Sequence, residues 1–255
     1  MEPTLWFGWF RADIIAEYAE LFWRGLGMTV AITAICIVLG TLLGLLIGLA
    51  RLADARHSPA RDACRFLLRW PSAVYVSFFR GTPLFVQILL IHFAFLPVLI
   101  NPDDGWLVAG DAARDIKQNY GALLSGVIAL TLNAGAYISE IFRAGIQSID
   151  RGQSEAARSL GLSARQTMMH VVLPQAFRRM LPPLGNNAIA LLKDSSLVSA
   201  IGLAELAYAA RTVAGAYGRY WEPYLTISFV YWLLTLALAA LVARLEIRYG
   251  RGDSR

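Results

Sequence analysis

The sequence has 255 residues, of which 57% are hydrophobic and only 16% are charged, and its mean hydropathy is +0.52. This composition excludes an ordinary soluble domain and indicates an integral membrane protein. The net charge of +5 accompanies long apolar tracts. We therefore assign it to arginines near anionic membrane lipid, and it gives no support to nucleic-acid binding.

Apolar tracts of about 20 residues are long enough to cross the hydrocarbon core of a bilayer. Five tracts qualify, at residues 25–50, 67–100, 120–142, 181–204 and 223–243. The second is too long for one straight crossing and is interrupted by the sequence RGTP, so we predict one span with a polar break. The predicted fold class is an all-α integral membrane protein with five transmembrane helices.

The positions of Lys and Arg predict which side of the membrane each segment faces. Fifteen of these residues lie in three segments, 51–69, 143–179 and 244–255, and six lie in the alternate segments 1–24, 101–119 and 205–222. Because cytoplasmic loops carry the excess, we expect the N-terminus outside and the C-terminus in the cytoplasm. The predicted divisions are an interfacial segment at 1–22, a transmembrane domain at 23–245 with a cytoplasmic loop at about 150–175, and a tail at 246–255.

In the first span, Gly40, Gly44 and Gly48 form a stripe of small residues. Such a stripe lets a second helix approach closely. We therefore predict a helix–helix packing surface here.

The third span carries polar side chains that share one helical face. Asn133, Tyr137 and Glu140 have i, i+4, i+7 spacing. Ionisable groups at the bilayer centre cost roughly 2.5–3.5 kcal/mol, so this face is expected to line a solute path. Glu140 either contacts the solute directly or pairs with Arg143 three residues later.

Polar residues in the second and fourth spans extend this candidate path. Thr82 and Gln87 flank the break at RGTP, which either offers backbone hydrogen bonds to a zwitterion or is only a packing kink. Asn187, Lys193 and Asp194 make the fourth span polar. Lys193 either meets a solute carboxylate or neutralises a neighbouring acid.

The cytoplasmic stretch EAARSLGLSARQTMMHVVLP is predicted to form two short helices. Ser154 is the expected N-cap of the first helix, and Gly161 occupies the C′ position. Ser163 and Gln166 have capping-box spacing for the second helix, and Pro174 is expected to end it.

The first of these helices is too short to be stable alone in water, so contacts must hold it. Ala156, Ala157 and Leu160 form a small apolar surface beside Arg158. This surface suits docking into a groove of another protein, and an amphipathic loop lying on lipid headgroups is the alternative.

Five blocks of sequence resemble the polar-amino-acid permeases among the membrane subunits of binding-protein-dependent ABC importers. They are RGTPLFVQ (80–87), AYISEIFRAGI (136–146), GQSEAARSLG (152–161), LPQAFRRMLPPLGNN (173–187) and LLKDSSL (191–197). The pattern that begins at Glu155 is similar to the EAA loop of this superfamily, with Val171 where isoleucine is usual. The resemblance extends over about residues 20–245.

The resemblance implies a type I ABC importer permease in the bacterial inner membrane, forming the path of a polar amino acid. It places coupling to a partner ATPase at six residues: Glu155, Ala156, Ala157, Leu160, Gly161 and Pro174. The sequence contains no G-x-x-x-x-G-K-[ST] phosphate loop, so we expect no enzyme activity of its own. A non-transporting scaffold or sensor coupled to an ATPase is the alternative function.

The resemblance also implies partners and cofactors. The expected partners are an ATPase dimer, a second copy of the permease or a paralogue, an extracytoplasmic amino-acid-binding protein and membrane lipid. We expect this chain to hold no cofactor and no metal, with ATP and Mg on the partner ATPase.

Overall fold

The computed structural model describes residues 10–52 and 65–250, and these are predominantly helical. The α-helices in this part of the chain are α1 (Ala12–Glu17), α2 (Ala19–Leu52), α3 (Trp70–Gly81), α4 (Leu84–Leu90), α5 (Leu96–Leu99), α6 (Gly110–Gln147), α7 (Arg151–Ser159), α8 (Ala164–Thr167), α9 (Leu173–Asp194), α10 (Leu206–Tyr217) and α11 (Trp221–Gly250). A 3₁₀ helix, Ser195–Ile201, follows α9. The predicted interfacial segment and tail are thus described only from Phe10 and as far as Gly250.

Three of the described helices, α2, α6 and α11, are long and apolar enough to cross a membrane. The helices on either side of Thr82–Pro83 pass the same test as one interrupted pair, which gives up to four crossings among the described residues. The predicted interruption of the second tract is therefore confirmed. The fourth predicted tract, 181–204, falls on α9 and the 3₁₀ helix, and a total of five crossings stays a prediction.

Three π-helical segments each end two residues before a proline. They are Arg65–Arg69 before Pro71, Ile91–Phe95 before Pro97 and Met168–Val172 before Pro174. A proline lacks the N–H that an α-helix requires and its ring crowds the preceding turn, and the wider π turn accommodates both defects. The predicted break at Pro174 is therefore wrong, because the chain stays helical from α8 through the π segment into α9.

The first of the two predicted short helices, α7, begins earlier than predicted. Asp150, rather than Ser154, is the N-cap of α7, and its side chain accepts a 2.6 Å hydrogen bond from the backbone N–H of Gly152. The helix is therefore nine residues long. Gly161 has φ +87°, as a C′ glycine requires, and Ser163 and Gln166 form the predicted capping box.

The chain divides into two compact units. The first comprises residues 1–35, 85–130 and 191–237, and the second comprises 36–84, 131–190 and 238–255. In the first unit, a core that includes Ile14, Leu206 and Val213 packs beside the fully buried Glu205. The Glu205 carboxylate accepts hydrogen bonds from two backbone N–H groups of α10 and from Tyr231, so it caps this helix internally.

In the second unit, the glycine stripe of α2 packs against α6. A Cβ atom at Gly44 would lie 2.6 Å from Cγ2 of Ile138, and one at Gly40 would lie 2.9 Å from Cβ of Ala134. These distances leave no room for a side chain. The predicted close approach is thus confirmed, and it holds α2 tightly against α6.

Candidate functional site

A cavity of about 720 Å³ lies within the second unit, among α3, α6 and α9. We call it the polar cavity because charged and amide side chains contribute to its lining. Its volume falls in the range of small-molecule sites. The residues that line it are Arg80, Tyr137, Glu140, Ile141, Ala144, Gly145, Ser148, Arg179, Pro183, Asn186 and Asn187.

Helix α6 provides one continuous face of the polar cavity. Tyr137, Glu140 and Ala144 recur at helical spacing and so point to the same side, and Ser148 directly follows the helix. The guanidinium of Arg80, at the end of α3, lies over the Tyr137 ring, 5.3 Å from its centroid. This cation–π contact positions a positive charge at the cavity wall.

The carboxylate of Glu140 is shared by three arginines. The Arg143 guanidinium donates two hydrogen bonds to Oε2 of Glu140, at 2.7 and 3.1 Å, and Arg51 donates to Oε1. Nη1 of Arg80 lies 3.8 Å from Oε2. The side chain of Glu140 is only 16% exposed, so its carboxylate is largely removed from solvent, whereas the side chain of Arg80 is 43% exposed. The predicted pair of Glu140 and Arg143 is present in the structure.

Helix α9 provides the opposite wall. Gly145 of α6 faces Met180, and a Cβ there would meet the Met180 side chain at 2.3 Å, so the glycine permits close packing of the two helices. Nη1 of Arg179 donates a 2.5 Å hydrogen bond to the carbonyl of Ser148. Asn186 and Asn187 of the same helix also line the cavity.

The polar cavity collects three of the eight predicted path residues: Tyr137, Glu140 and Asn187. Asn133 is in the same unit but is only 8% exposed, and its Nδ2 donates a 3.1 Å hydrogen bond to the carbonyl of Phe79. Thr82 donates from its hydroxyl to the carbonyl of Phe78 at 2.8 Å. Neither residue lines the cavity, and both bonds hold the end of α3.

The other three predicted path residues belong to the first unit. Gln87 is buried in α4, whereas Lys193 is exposed and Asp194 is partly exposed at the end of α9. The carbonyl of Lys193 accepts a 2.7 Å hydrogen bond from the Ser196 hydroxyl, which continues the chain into the 3₁₀ helix.

Arg80, Arg179 and Ser148 line the cavity but were not predicted as path residues. Arg80 stands out in sequence as a charge inside an apolar tract. Arg179, Pro183 and Asn186 have i, i+4, i+7 spacing, which is a detectable face of α9. Ser148 has no comparable signal, because it lies at the end of α6.

Five of the six predicted coupling residues lie on or beside α7, whereas Pro174 lies in the first turn of α9. Glu155, Ala156 and Leu160 are exposed, and Leu160 is 83% exposed although it is apolar. Ala157 is only 7% exposed, so it packs against its own chain. The helix therefore has one face that anchors it and one that is open to a partner.

Residues 64–251 match the family model described as the inner membrane component of binding-protein-dependent transport systems. The chain belongs to this family. It is therefore a multi-pass inner membrane permease subunit, and its resemblance to the permeases of polar-amino-acid importers is confirmed.

Relatives of this permease match along nearly its whole length. It is 36% identical to the L-cystine transport system permease protein TcyB of Bacillus subtilis, over 91% of this chain and 89% of the relative. It is 34% identical to the glutamine transport system permease protein GlnP of Escherichia coli, over 88% and 91% respectively.

Solved structures give the same result for the fold. A chain from the crystal structure of an amino acid ABC transporter with histidines is 36% identical, with a TM-score of 0.74 over 92% of this chain and 96% of that one. A chain of the MetNI methionine ABC transporter is 20% identical and has a TM-score of 0.69 over 90% and 96%. The second likeness concerns the fold alone.

Proposed function

We propose that the polar cavity is a section of the path along which this permease moves a polar amino acid. The observation that carries the proposal is the convergence of opposite charges and amides in one cavity of an otherwise apolar protein. Charged groups within membrane-spanning segments are costly and are expected to face a solute path or another protein surface. A free amino acid carries both a carboxylate and an ammonium group, so it needs donors and acceptors together.

Arg80 is the proposed partner of the solute carboxylate. Its side chain is 43% exposed and its contact with Glu140 is long, at 3.8 Å, so its guanidinium retains donors for a ligand. Glu140 is held by Arg51 and Arg143 and is therefore assigned to positioning Arg80. The side-chain oxygens of Tyr137 and Asn187 are the proposed acceptors for the ammonium group.

We also propose that α7 receives the mechanical input from a partner ATPase. Leu160 is the strongest support, because an apolar side chain so exposed at the end of a short helix suits burial in a partner groove. Pro174 and Gly161 would set the direction of the segments that follow α7. ATP and Mg are assigned to that ATPase, whose hydrolysis would supply the energy for transport.

We also propose that this chain works in a larger complex with other subunits. One α7 per permease suggests a pair of permease subunits, either two copies or this chain with a paralogue, on an ATPase dimer. The Lys and Arg distribution supports five crossings with the N-terminus outside and α7 in the cytoplasm. An extracytoplasmic amino-acid-binding protein would deliver the solute.

The path assignment is tested in proteoliposomes that contain the full complex, with saturating binding protein and its cognate amino acid. We expect Arg80→Gln to lower the rate of solute uptake about tenfold, the effect of losing one hydrogen bond to a charged group. Binding-protein-stimulated ATP hydrolysis should persist in this variant. Asn187→Ala should also lower the rate of solute uptake.

The matched control is Asn119→Ala, which removes an exposed amide of α6 that lies outside the polar cavity. Its uptake should equal that of the unmodified complex. Equal rates of uptake by Arg80→Gln and Asn119→Ala would refute the assignment of the polar cavity to the solute path.

A further inference from the structure

A second cavity in the same unit, of about 380 Å³, is lined mainly by basic groups. We call it the basic cavity, and its lining residues are Arg51, Arg69, Trp70, Ala73, Arg143 and Gln147. Among these described residues three carry a guanidinium and none carries a carboxylate. Guanidinium groups present fixed pairs of N–H donors that match phosphate oxygens.

The positive charge of the basic cavity is only partly balanced by the residues the structure describes. Glu140 contacts Arg51 and Arg143 from the side of the polar cavity, and it also faces Arg80. Arg69 and Arg143 line the same cavity as Arg51, and Arg80 shares the Glu140 carboxylate with it, so these like charges repel one another. One carboxylate therefore serves several guanidiniums, and an added anion would reduce their mutual repulsion.

The basic cavity lies where three membrane-crossing segments end. Arg51 is in the last turn of α2, Arg69 directly precedes α3, and Arg143 is in the last two turns of α6. Trp70 is 64% exposed beside them. Tryptophan at a helix end is typical of the headgroup level of a bilayer, where its ring is half in lipid and half in water.

We propose that the basic cavity binds a phosphate group, supplied by the headgroup of an anionic phospholipid in the cytoplasmic leaflet. The leaflet assignment depends on the orientation given under the proposed function. Basic pockets between transmembrane helices on this side are suited to lipid headgroups. A soluble phosphate has the same chemistry, but the position of Trp70 at a helix end favours a lipid.

Glu140 lines the polar cavity and contacts two arginines of the basic cavity, Arg51 and Arg143. A phosphate that binds Arg51 and Arg143 competes with Glu140 for their donors. Lipid binding would thereby change how tightly Glu140 holds Arg80. This gives anionic lipid a direct contact route to the solute path, through side chains that already touch.

The test uses the full complex in nanodiscs of either phosphatidylglycerol or phosphatidylcholine, followed by native mass spectrometry of the lipid retained. The variants are Arg69→Gln, which removes an exposed guanidinium, and Gln147→Glu, which adds a negative charge to the cavity. Gln147→Glu keeps an acceptor for the Arg143 guanidinium, which now donates to Oε1 of Gln147 at 2.5 Å. The matched control is Arg244→Gln, an exposed arginine of α11 outside the cavity.

We expect retained phosphatidylglycerol to fall about tenfold in Arg69→Gln and in Gln147→Glu, and less than twofold in Arg244→Gln. Retention of this lipid unaffected by millimolar inorganic phosphate supports the lipid as the source. Its displacement by inorganic phosphate would overturn the lipid assignment and leave a soluble phosphate anion. Equal retention of both lipids, or equal losses in all three variants, would overturn the site itself. These readouts need no transport, so a failed lipid site and a failed transport function are distinguishable.

Discussion

Leu160 allows the docking role of α7 to be tested with little effect on folding. Its side chain is 83% exposed, so truncation removes few contacts within the chain. Leu160→Ala removes three carbons, which at about 0.8 kcal/mol per buried methylene amounts to about 2 kcal/mol if a partner covers them. That free energy corresponds to ~30-fold weaker association, since 1.4 kcal/mol is a factor of ten.

The assay is the dissociation constant of the purified ATPase for the permease in nanodiscs. The thermal midpoint of each permease variant is measured in parallel. Leu160→Ala should keep the midpoint of the unmodified chain, because surface substitutions usually change stability by less than about 0.5 kcal/mol. The ATPase affinity alone should fall.

Leu107→Ala is the matched control. Leu107 is also apolar and 74% exposed, but it lies in the segment 101–119, which the charge distribution predicts to be extracytoplasmic. Its truncation should leave the ATPase affinity unchanged. If both variants bind the ATPase equally well, the assignment of Leu160 to the coupling surface is refuted.

Two further predictions concern packing and capping. Gly44→Ala should lower the thermal midpoint by the equivalent of about 1–3 kcal/mol, because the new Cβ meets Ile138, whereas Gly27→Ala in the same helix meets nothing within 4 Å and should be tolerated. A thermal melt of both variants decides this, and equal midpoints would contradict the packing. Asp150→Ala should destabilise α7 by about 1 kcal/mol and so speed backbone amide hydrogen exchange at residues 151–159. Ser154→Ala, the control, should leave that exchange unchanged. Faster exchange in Ser154→Ala than in Asp150→Ala would show that Ser154 is the cap.

Local sequence signals correctly predicted the helix ends that are determined by a few neighbouring residues. Gly161 ends α7 with a positive φ, and Ser163 with Gln166 begins α8, as their spacing predicts. The start of α7 was misassigned because Asp150 and Ser154 are both residue types that cap helices, and residue type alone does not rank them. The hydrogen bond from the backbone N–H of Gly152 to the Asp150 side chain identifies Asp150 as the cap.

The effect of Pro174 on the helix was also predicted wrongly from local sequence. A proline predicts a helix end, but the π turn at Met168–Val172 carries the helix into α9. Because this alternative differs little in sequence from an ordinary break, the pattern of residues does not distinguish them.

The polar cavity could not be predicted from local sequence, because it is formed by residues that are distant in the chain. Arg80 lies next to Tyr137 and Glu140 only after α3 and α6 pack together. Periodicity identified the face of α6 that carries Tyr137 and Glu140, yet it also included Asn133, which binds the backbone of α3 instead. A shared helical face is therefore a weaker predictor of a site than the packing of two helices around it.

We propose that this permease, with its partners, moves a polar amino acid across the membrane at the expense of ATP. The most direct measurement is the accumulation of a radiolabelled amino acid in proteoliposomes containing the complex, with the binding protein outside and ATP on the ATPase side. We predict accumulation above the external concentration that requires both the binding protein and hydrolysable ATP. Intact ATPase association and hydrolysis without any movement of the amino acid carried by the binding protein would contradict the account.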